Sequence, residues 1–257
     1  MRVGGVNRRV VWLARLYEMW FGKFGDYHLT VSQAMKADLV RQMPTIREDR
    51  IYVLYDRATD KFKPRYLDLN EKGKLYERIG LENQIYMSAS GSYGYCENRA
   101  AFLLSSTSYT PDEDFSMLVE ALDLCDADES VPAIQMVVTG KGPLKVFFDS
   151  VFRARNSRWK KTHVRQAWLS IDDYPKVVSA ADLGVCLHAS SSGLDLPMKV
   201  VDMFSARLPC LALGGFASIP ELVKPEYGHI FLNKQELYEE IRSVLKDFDY
   251  IYTTPIL

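Results

Sequence analysis

The clearest structural signal in this chain is residues 187–204, LHASSSGLDLPMKVVDMF. An apolar run over residues 183–187 leads into a loop of Ser and Gly, and Pro197 then stands where the first turn of a helix is predicted. A strand, a small polar loop and a helix in this order form the phosphate site of many α/β proteins, because the helix N-terminus presents free N–H groups. The pattern therefore predicts an α/β fold with an anion site at this loop.

The predicted helix after the loop carries Lys199 and Asp202, whose spacing places them on one helical face. A cation for a phosphate and an acceptor for sugar hydroxyls would then lie side by side, next to the hydroxyls and N–H groups of residues 190–193. The same spacing also fits an ordinary connection followed by a solvated lysine. Both interpretations stay open from spacing alone.

Length and composition are those of a globular protein. The chain has 257 residues, of which 47% are hydrophobic, and a net charge of -1. These values exclude a disordered or fibrous protein and leave no overall positive charge for nucleic acid, so no nucleic-acid partner is predicted. The four cysteines lack the spacing of metal ligands, and we expect reduced thiols at Cys96, Cys125, Cys186 and Cys210.

Residues 10–24 have apolar side chains at steps of three and four, many of them aromatic, which predicts an amphipathic helix. Such a helix either packs in a core or lies on a membrane surface. Its polar face is poor in basic residues, which favours the core. Arg15 and Glu18 interrupt the apolar pattern, so the segment is neither a signal peptide nor a membrane span.

Strands and helices alternate regularly from residue 101 to residue 248, which predicts right-handed crossovers and a doubly wound parallel sheet. The preceding residues 80–99 are rich in Gly and Ser and are predicted to form a mobile surface loop. Ligands of doubly wound sheets bind beyond the carboxyl ends of the strands. Three predicted loops fall there, at residues 105–110, 139–143 and 190–196.

Other residues are chemical candidates in the same region. Gly140 and Lys141 lie between a strand and a helix, where they either approach a phosphate or form an ordinary helix-entry turn. His188, at the end of another strand, is a candidate catalytic residue. The acidic motif at 112–114 begins a predicted helix and the one at 126–128 ends it. Either could hold Mg²⁺ or Mn²⁺ beside a nucleotide, but helix caps and solvated charges are favoured, and no metal ligand is assigned.

Four blocks of sequence carry a family resemblance. They are residues 105–115 (SSTSYTPDEDF), 138–143 (VTGKGP), 179–188 (SAADLGVCLH) and 190–204 (SSSGLDLPMKVVDMF). The chain resembles the chitobiosyldiphosphodolichol β-mannosyltransferase family from about residue 10 to about residue 248.

The resemblance implies a GT-B glycosyltransferase that moves mannose from GDP-mannose to GlcNAc2-diphosphodolichol, a dolichol-diphosphate-linked chitobiose. The implied reaction is inverting, forms a β-1,4 linkage and belongs to the synthesis of the N-glycan precursor. The implied location is the cytosolic face of the endoplasmic reticulum membrane, with other mannosyltransferases of that membrane as candidate partners.

The resemblance also implies roles for single residues. Lys199 would contact the diphosphate with help from Lys141, and Asp202 would bind the ribose hydroxyls. Residues 191–194 would hold the diphosphate or the mannose through their backbone, and residues 167–169 would border guanine. The implied donor-binding residues are Gly140, Lys141, Trp168, Leu169, Ser191, Ser192, Gly193, Leu194, Lys199 and Asp202. No cofactor is certain, although Mg²⁺ or Mn²⁺ could accompany the nucleotide sugar.

The chain departs from the family at its ends, and we expect a form truncated at both. Residues 1–58 would be the C-terminal remnant of the acceptor-side domain with the interdomain connection, residues 59–99 a helix and mobile loop, and residues 100–257 a complete Rossmann-like donor domain. The alternatives are a non-catalytic nucleotide-binding paralogue, a partner subunit of mannosyltransferases of the endoplasmic reticulum, and an incomplete gene model.

Overall fold

The computed structural model describes residues 8–81, 84–88, 91, 93–96, 98–246 and 248. Its helices and strands, in chain order, are α1 (Arg8–Gly22), β1 (His28–Thr30), α2 (Gln33–Gln42), β2 (Ile51–Val53), α3 (Leu69–Ile79), β3 (Ile85–Met87), β4 (Tyr93–Tyr95), β5 (Ala101–Thr107), α4 (Phe115–Ala127), β6 (Ile134–Gly140), α5 (Lys145–Asn156), β7 (Thr162–Ala167), α6 (Tyr174–Ala180), β8 (Leu183–Cys186), α7 (Met198–Ser205), β9 (Cys210–Leu213), α8 (Ile219–Leu222), β10 (Gly228–Phe231) and α9 (Lys234–Leu245).

Six strands form one parallel sheet in the order β10-β9-β8-β5-β6-β7. The chain enters the sheet at its centre with β5, runs outward through β6 and β7, and returns to the other side of β5 with β8. This is the strand order of dinucleotide-binding α/β folds, and the order reverses between β5 and β8. The predicted doubly wound, Rossmann-like sheet is confirmed.

Helices cover both faces of this sheet. One core lies between the sheet and helices α4, α5 and α9, and the other lies between the sheet and helices α3, α6 and α7. Successive residues of β5 point into different cores, with Leu103 in the first and Leu104 in the second. A strand that is buried on both faces must be apolar throughout, which explains the continuous apolar run that begins β5.

A buried ion pair joins β5 and β8 at the amino end of the sheet. Arg99 donates two hydrogen bonds of 2.9 Å to the carboxylate of Asp182, and the backbone N–H of Phe102 donates to the same carboxylate at 2.8 Å. The guanidinium of Arg99 also lies 4.7 Å from the ring centroids of Tyr95 and Phe248. These contacts hold the starts of the two central strands together.

The residues before β5 form smaller units. β1 and β2 pair in parallel, and Ser32 caps α2, because its hydroxyl accepts a hydrogen bond of 2.9 Å from Met35 N. The predicted mobile loop at 80–99 is not a loop throughout, because β3 and β4 pair in an antiparallel hairpin. Its tyrosines are residues that favour strands. Residues 82–83, 89–90, 92 and 97 of that predicted loop lie outside the described residues.

α1 confirms the predicted helix but not its predicted burial. Trp12 and Trp20 are 60% and 57% exposed, and Tyr17 and Phe21 are exposed as well. The aromatic rings of this helix contact one another, with 4.4 Å between the centroids of Tyr17 and Phe21. For the residues described, the predicted packing of this helix in a core is therefore wrong. Helical periodicity identifies an apolar face but not the surface that packs against it. None of the described helices is both long and apolar enough to cross a bilayer.

α4 begins later than predicted, at Phe115 rather than at Asp112. Asp114 caps the helix by accepting a hydrogen bond of 2.9 Å from Ser116 N. Asp112 and Glu113 consequently remain in the loop after β5, at the carboxyl edge of the sheet.

Candidate functional site

The loops that follow β5 and β8 meet where the strand order reverses. Glu113 and His188 form an antiparallel backbone bridge between the two loops, and the N–H of Ala189 donates to Asp112 O at 3.3 Å. Crevices at such a reversal are the ligand sites of doubly wound sheets. The predicted serine loop (residues 190–196) and the start of α7 therefore lie at the expected place.

Glu113 is the residue that joins these loops through its side chain. Its buried carboxylate accepts hydrogen bonds from Ser108 N at 2.8 Å, from the hydroxyl of Thr107 and from the ammonium of Lys199. The sequence placed Glu113 with two other acidic residues and favoured a helix cap or a solvated charge over a ligand of Mg²⁺ or Mn²⁺; for Glu113 this was wrong, because it is buried and pairs with Lys199. The only available signal was its position after a predicted central strand, which does not distinguish it from Asp112 or Asp114.

Lys199 lies on the first turn of α7 and is only 23% exposed in its side chain. It pairs with Glu113, so it is not a solvated charge. An ammonium has three N–H donors. Glu113 accepts one of them, which leaves donors for an anion in the crevice.

Asp202 lies one turn further along α7 and is partly buried. Burial raises the pKa of its carboxyl to about 6. Tyr174 stands nearby and donates its hydroxyl to Ser106 at 3.1 Å, and burial raises the pKa of Tyr174 to about 12. Within the described residues no hydrogen bond or ion pair reaches the carboxylate of Asp202. A partly buried acceptor of this kind suits the hydroxyls of a sugar.

The serine loop makes its own hydrogen bonds. Gly193 N donates to the hydroxyl of Ser190 at 2.8 Å, and Leu194 N donates to the hydroxyl of Ser192 at 3.2 Å. Both hydroxyls in turn donate to Asp195. The hydroxyls and N–H groups that were predicted to face an anion are thus gathered in one turn. The N–H groups of Gly193 and Leu194, however, already donate to serine hydroxyls of that turn.

His188 lies between two carboxylates. Its Nδ1 is 3.9 Å from Asp112 Oδ2, and its Nε2 is 3.5 Å from Asp195 Oδ2. A hydrogen bond from Thr110 holds the pKa of Asp112 below its usual range. Burial opposes the ionisation of Asp195, yet the hydrogen bonds from Ser190 and Ser192 outweigh it, so the pKa of Asp195 is lowered too. Carboxylates on both sides of an imidazole can fix its orientation.

The loops after β6 and β7 supply Lys141 and Trp168. The ammonium of Lys141 lies 3.7 Å from the ring centroid of Trp168, which is 60% exposed. This cation–π contact places a flat apolar face beside a positive charge at the sheet edge. Leu169, by contrast, is buried in the core beneath α6 and α7.

The glycines beside Lys141 have a packing role. A Cβ on Gly140 would lie 1.8 Å from Thr107 O, and a Cβ on Gly142 would lie 1.7 Å from Ser108 O. Gly140 also has a φ of 154°. The loops after β5 and β6 therefore lie backbone against backbone, which only glycine permits at these positions.

Asp126 and Asp128, from the second acidic motif, accept hydrogen bonds that join separate elements of the fold. Asp126 accepts hydrogen bonds of 2.9 to 3.0 Å from the N–H groups of Lys160, Lys161 and Thr162, at the opposite end of β7 from the crevice. Asp128 accepts from the hydroxyl of Tyr238 at 2.6 Å. No group of three or more His, Cys, Asp or Glu side chains that suits a metal ion occurs in the part of the chain described.

Two curated relatives of similar sequence carry the same name. No protein-family profile matches the chain. It is 36% identical over 260 residues to the chitobiosyldiphosphodolichol beta-mannosyltransferase of Candida albicans, an alignment that covers 100% of this chain and 52% of that protein. It is 35% identical over 270 residues to the protein of the same name from Homo sapiens, covering 96% of this chain and 56% of that protein. The chain thus spans about half the length of the curated relatives it matches.

Solved glycosyltransferases have the same fold. A glycosyltransferase from Rickettsia africae aligns with a TM-score of 0.65 and 15% identity over 97% of this chain and 62% of that structure. Anabaena Alr3699/HepE in complex with UDP aligns with a TM-score of 0.63 and 14% identity over 96% of this chain and 64% of that structure. At these identities the likeness shows the fold alone, which is that of the GT-B glycosyltransferases. Over nearly its whole length, the chain is similar in sequence to the chitobiosyldiphosphodolichol β-mannosyltransferases.

Proposed function

We propose that the chain binds GDP-mannose at the carboxyl edge of its six-stranded sheet, as the donor-binding part of an inverting β-1,4-mannosyltransferase. The observation that carries the proposal is the convergence of Lys199 and Asp202 on the end of β5, where the strand order reverses. A cation with spare N–H donors and an acceptor without a partner among the described residues match a diphosphate and a ribose. The names of the relatives support mannose as the sugar.

Most of the predicted donor-binding residues have a role in this proposal. Lys199 binds the diphosphate while Glu113 holds its ammonium, and Lys141 adds the second positive charge. Asp202 accepts hydrogen bonds from the ribose hydroxyls. Trp168 offers its exposed face to guanine, whereas Leu169 is buried and supports the loop from below.

The serine loop holds the diphosphate or the mannose. Residues 191–194 present their backbone, and the diphosphate replaces serine hydroxyls as the acceptor for the N–H groups of Gly193 and Leu194. The hydroxyls of Ser190 and Ser192 can donate to the phosphate oxygens when their single O–H groups turn away from Asp195. Phosphate is the stronger acceptor because it is charged, which favours the exchange.

His188 is the candidate catalytic residue. An inverting transfer needs a base that removes the proton of the attacking acceptor hydroxyl. The imidazole of His188 can do so, with Asp112 and Asp195 stabilising the positive charge that it acquires. The acceptor is dolichol-diphosphate-linked chitobiose, and the reaction takes place at the cytosolic face of the endoplasmic reticulum membrane, where other mannosyltransferases are candidate partners.

The test is calorimetry of the full 257-residue chain with GDP, beside an assay of mannose transfer from GDP-mannose to a phytanyl-diphosphate chitobiose. We expect GDP to bind more tightly than UDP. Parallel titrations with Mg²⁺, with Mn²⁺ and with a chelator show whether a divalent ion accompanies the nucleotide.

The two measurements separate the candidate functions. Product formation supports the transferase, and GDP binding without product supports the non-catalytic nucleotide-binding paralogue. A chain that binds no GDP would contradict both.

A further inference from the structure

The N-terminal part of the chain touches the serine loop through one buried hydroxyl. Ser32, which is completely buried, donates to the carbonyl of Leu194 at 2.5 Å. The two residues are 162 positions apart in the sequence. The hydroxyl of Ser32 also accepts from Met35 N, so a single side chain caps α2 and bonds the loop.

Ser218, at the start of α8, binds the carbonyls on either side. Its N–H donates to Gly193 O at 3.3 Å, and its hydroxyl donates to Asp195 O at 2.6 Å. Three successive carbonyls of the serine loop, those of Gly193, Leu194 and Asp195, are therefore held from Ser32 and Ser218. A trans peptide group has its carbonyl and N–H on opposite sides, so the bond to Gly193 O sets the direction of the N–H of Leu194, one of the two N–H groups assigned to the diphosphate.

Glu221 holds α2 in the position that makes this contact. Its carboxylate accepts hydrogen bonds of 2.7 Å from Gln33 N and from Ala34 N, and one of 2.9 Å from the hydroxyl of Tyr55. The first N–H groups of a helix lack acceptors within the helix, and its positive dipole end attracts an anion. Glu221 thus binds both the start of α2 and the segment after β2 to the donor-binding sheet.

We propose that Ser32 and Glu221 are positioning residues for the donor diphosphate, and that they link donor binding to the docking of α2 on the serine loop. The inference rests on the proposed function, because it assumes that the serine loop binds the diphosphate. Linkage of this kind is reciprocal. If the docked α2 raises the affinity for GDP by some factor, bound GDP must stabilise the docking of α2 by the same factor.

The first experiment uses the unmodified chain. Hydrogen exchange at the amides of Gln33 and Ala34, which donate to Glu221, is measured with and without saturating GDP. We expect GDP to slow their exchange about 5-fold or more, in the range typical of coupled sites. Unchanged exchange in a chain that binds GDP would overturn the inference and leave the proposed function standing.

The second experiment uses variants. Glu221→Ala removes all three acceptor bonds, and we expect it to weaken GDP binding about 5- to 20-fold, with Ser32→Ala in the same range. Glu221→Gln keeps one carbonyl oxygen as an acceptor and should lose less. Asp68→Ala is the matched control, because Asp68 likewise caps a helix, accepting from Glu71 N at 2.8 Å, and no hydrogen bond among the described residues joins it to the serine loop. The affinity of this variant for GDP should not change.

The outcomes remain distinguishable. Wild-type affinity for GDP in both Glu221→Ala and Ser32→Ala overturns the inference but leaves the proposed function standing. An equal loss in Asp68→Ala overturns it too, since the effect would then follow from any lost helix cap. Failure of the unmodified chain to bind GDP overturns the proposed function and the inference together.

Discussion

Glu113 and Lys199 form an ion pair that joins the loop after β5 to the first turn of α7. The carboxylate is buried and also accepts a hydrogen bond from Ser108 N, so it cannot move without losing that hydrogen bond to the loop after β5. The lysine side chain is partly exposed. The pair therefore fixes the position of a cation at the point where the strand order of the sheet reverses.

We predict that Lys199→Ala weakens GDP binding by about 1.5–3 kcal/mol, the usual contribution of a hydrogen bond to a charged group. The substitution also leaves Glu113 buried and unpaired, so the free energy of unfolding should fall by about 3 kcal/mol. Calorimetry with GDP and urea denaturation measure the two effects. Unchanged affinity would remove Lys199 from the site.

The double variant Glu113→Gln with Lys199→Met is the control for this prediction. Neither side chain is charged, so the penalty of an unpaired buried carboxylate disappears. We expect stability to recover while GDP affinity stays low. Recovery of affinity as well would mean that the single variant failed to bind only because it unfolded.

Asp202→Asn should change stability and binding in opposite directions. Burial raises the pKa of Asp202 to about 6, above the ordinary value of about 3.9. The folded state therefore holds the proton more tightly, and the free energy of unfolding falls as pH rises from about 4 to about 6 and stays lowered at pH 7. Asparagine removes this loss, so the variant should be more stable at pH 7 by about 1 kcal/mol after allowance for solvent screening.

Urea denaturation at two pH values checks the sign. The stability difference between Asp202→Asn and wild type should be present at pH 7 and vanish near pH 4, where the carboxyl is protonated. GDP binding should weaken by about 1 kcal/mol, because a neutral amide is a poorer acceptor than a carboxylate. A variant that is less stable at pH 7 would contradict the proposed environment of Asp202.

Gly140→Ala should destabilise the fold by at least about 2 kcal/mol, because its Cβ would overlap Thr107 O and its φ is positive. Thermal unfolding measures the loss. Gly215→Ala is the matched control: Gly215 has a φ of 91° but nothing within 4 Å of an added Cβ. The control should lose only the backbone strain, about 1 kcal/mol. Equal losses would show that overlap with the loop after β5 does not matter.

Asp182→Ala should lower the free energy of unfolding by about 3–5 kcal/mol, because it leaves the buried guanidinium of Arg99 without its carboxylate. Urea denaturation measures this loss. The exposed pair of Arg47 and Asp49 offers the comparison, and Asp49→Ala should leave the unfolding curve unchanged. A small effect of Asp182→Ala would mean that water replaces the lost carboxylate.

Local patterns predicted the sheet and the loops at its carboxyl edge. The apolar strands, Pro197 at the start of α7 and the serine run all lie where their sequence indicated. The same patterns failed for α1, since an apolar face at helical spacing does not reveal its partner. They also missed the hairpin of β3 and β4, because small polar residues and tyrosines gave conflicting signals.

Residue types and spacing along the chain were enough for the α/β alternation, the edge of the sheet that carries the site, and Lys199 and Asp202 on one helix. Those features depend on helical and strand periodicity, which acts over a few residues. The ion pair of Lys199 with Glu113 spans 86 positions, and the bond from Ser32 to Leu194 spans 162. Such contacts form only after the sheet has brought distant loops together. Burial then requires each polar group to have a hydrogen-bond partner, and the tertiary structure decides which group that partner is.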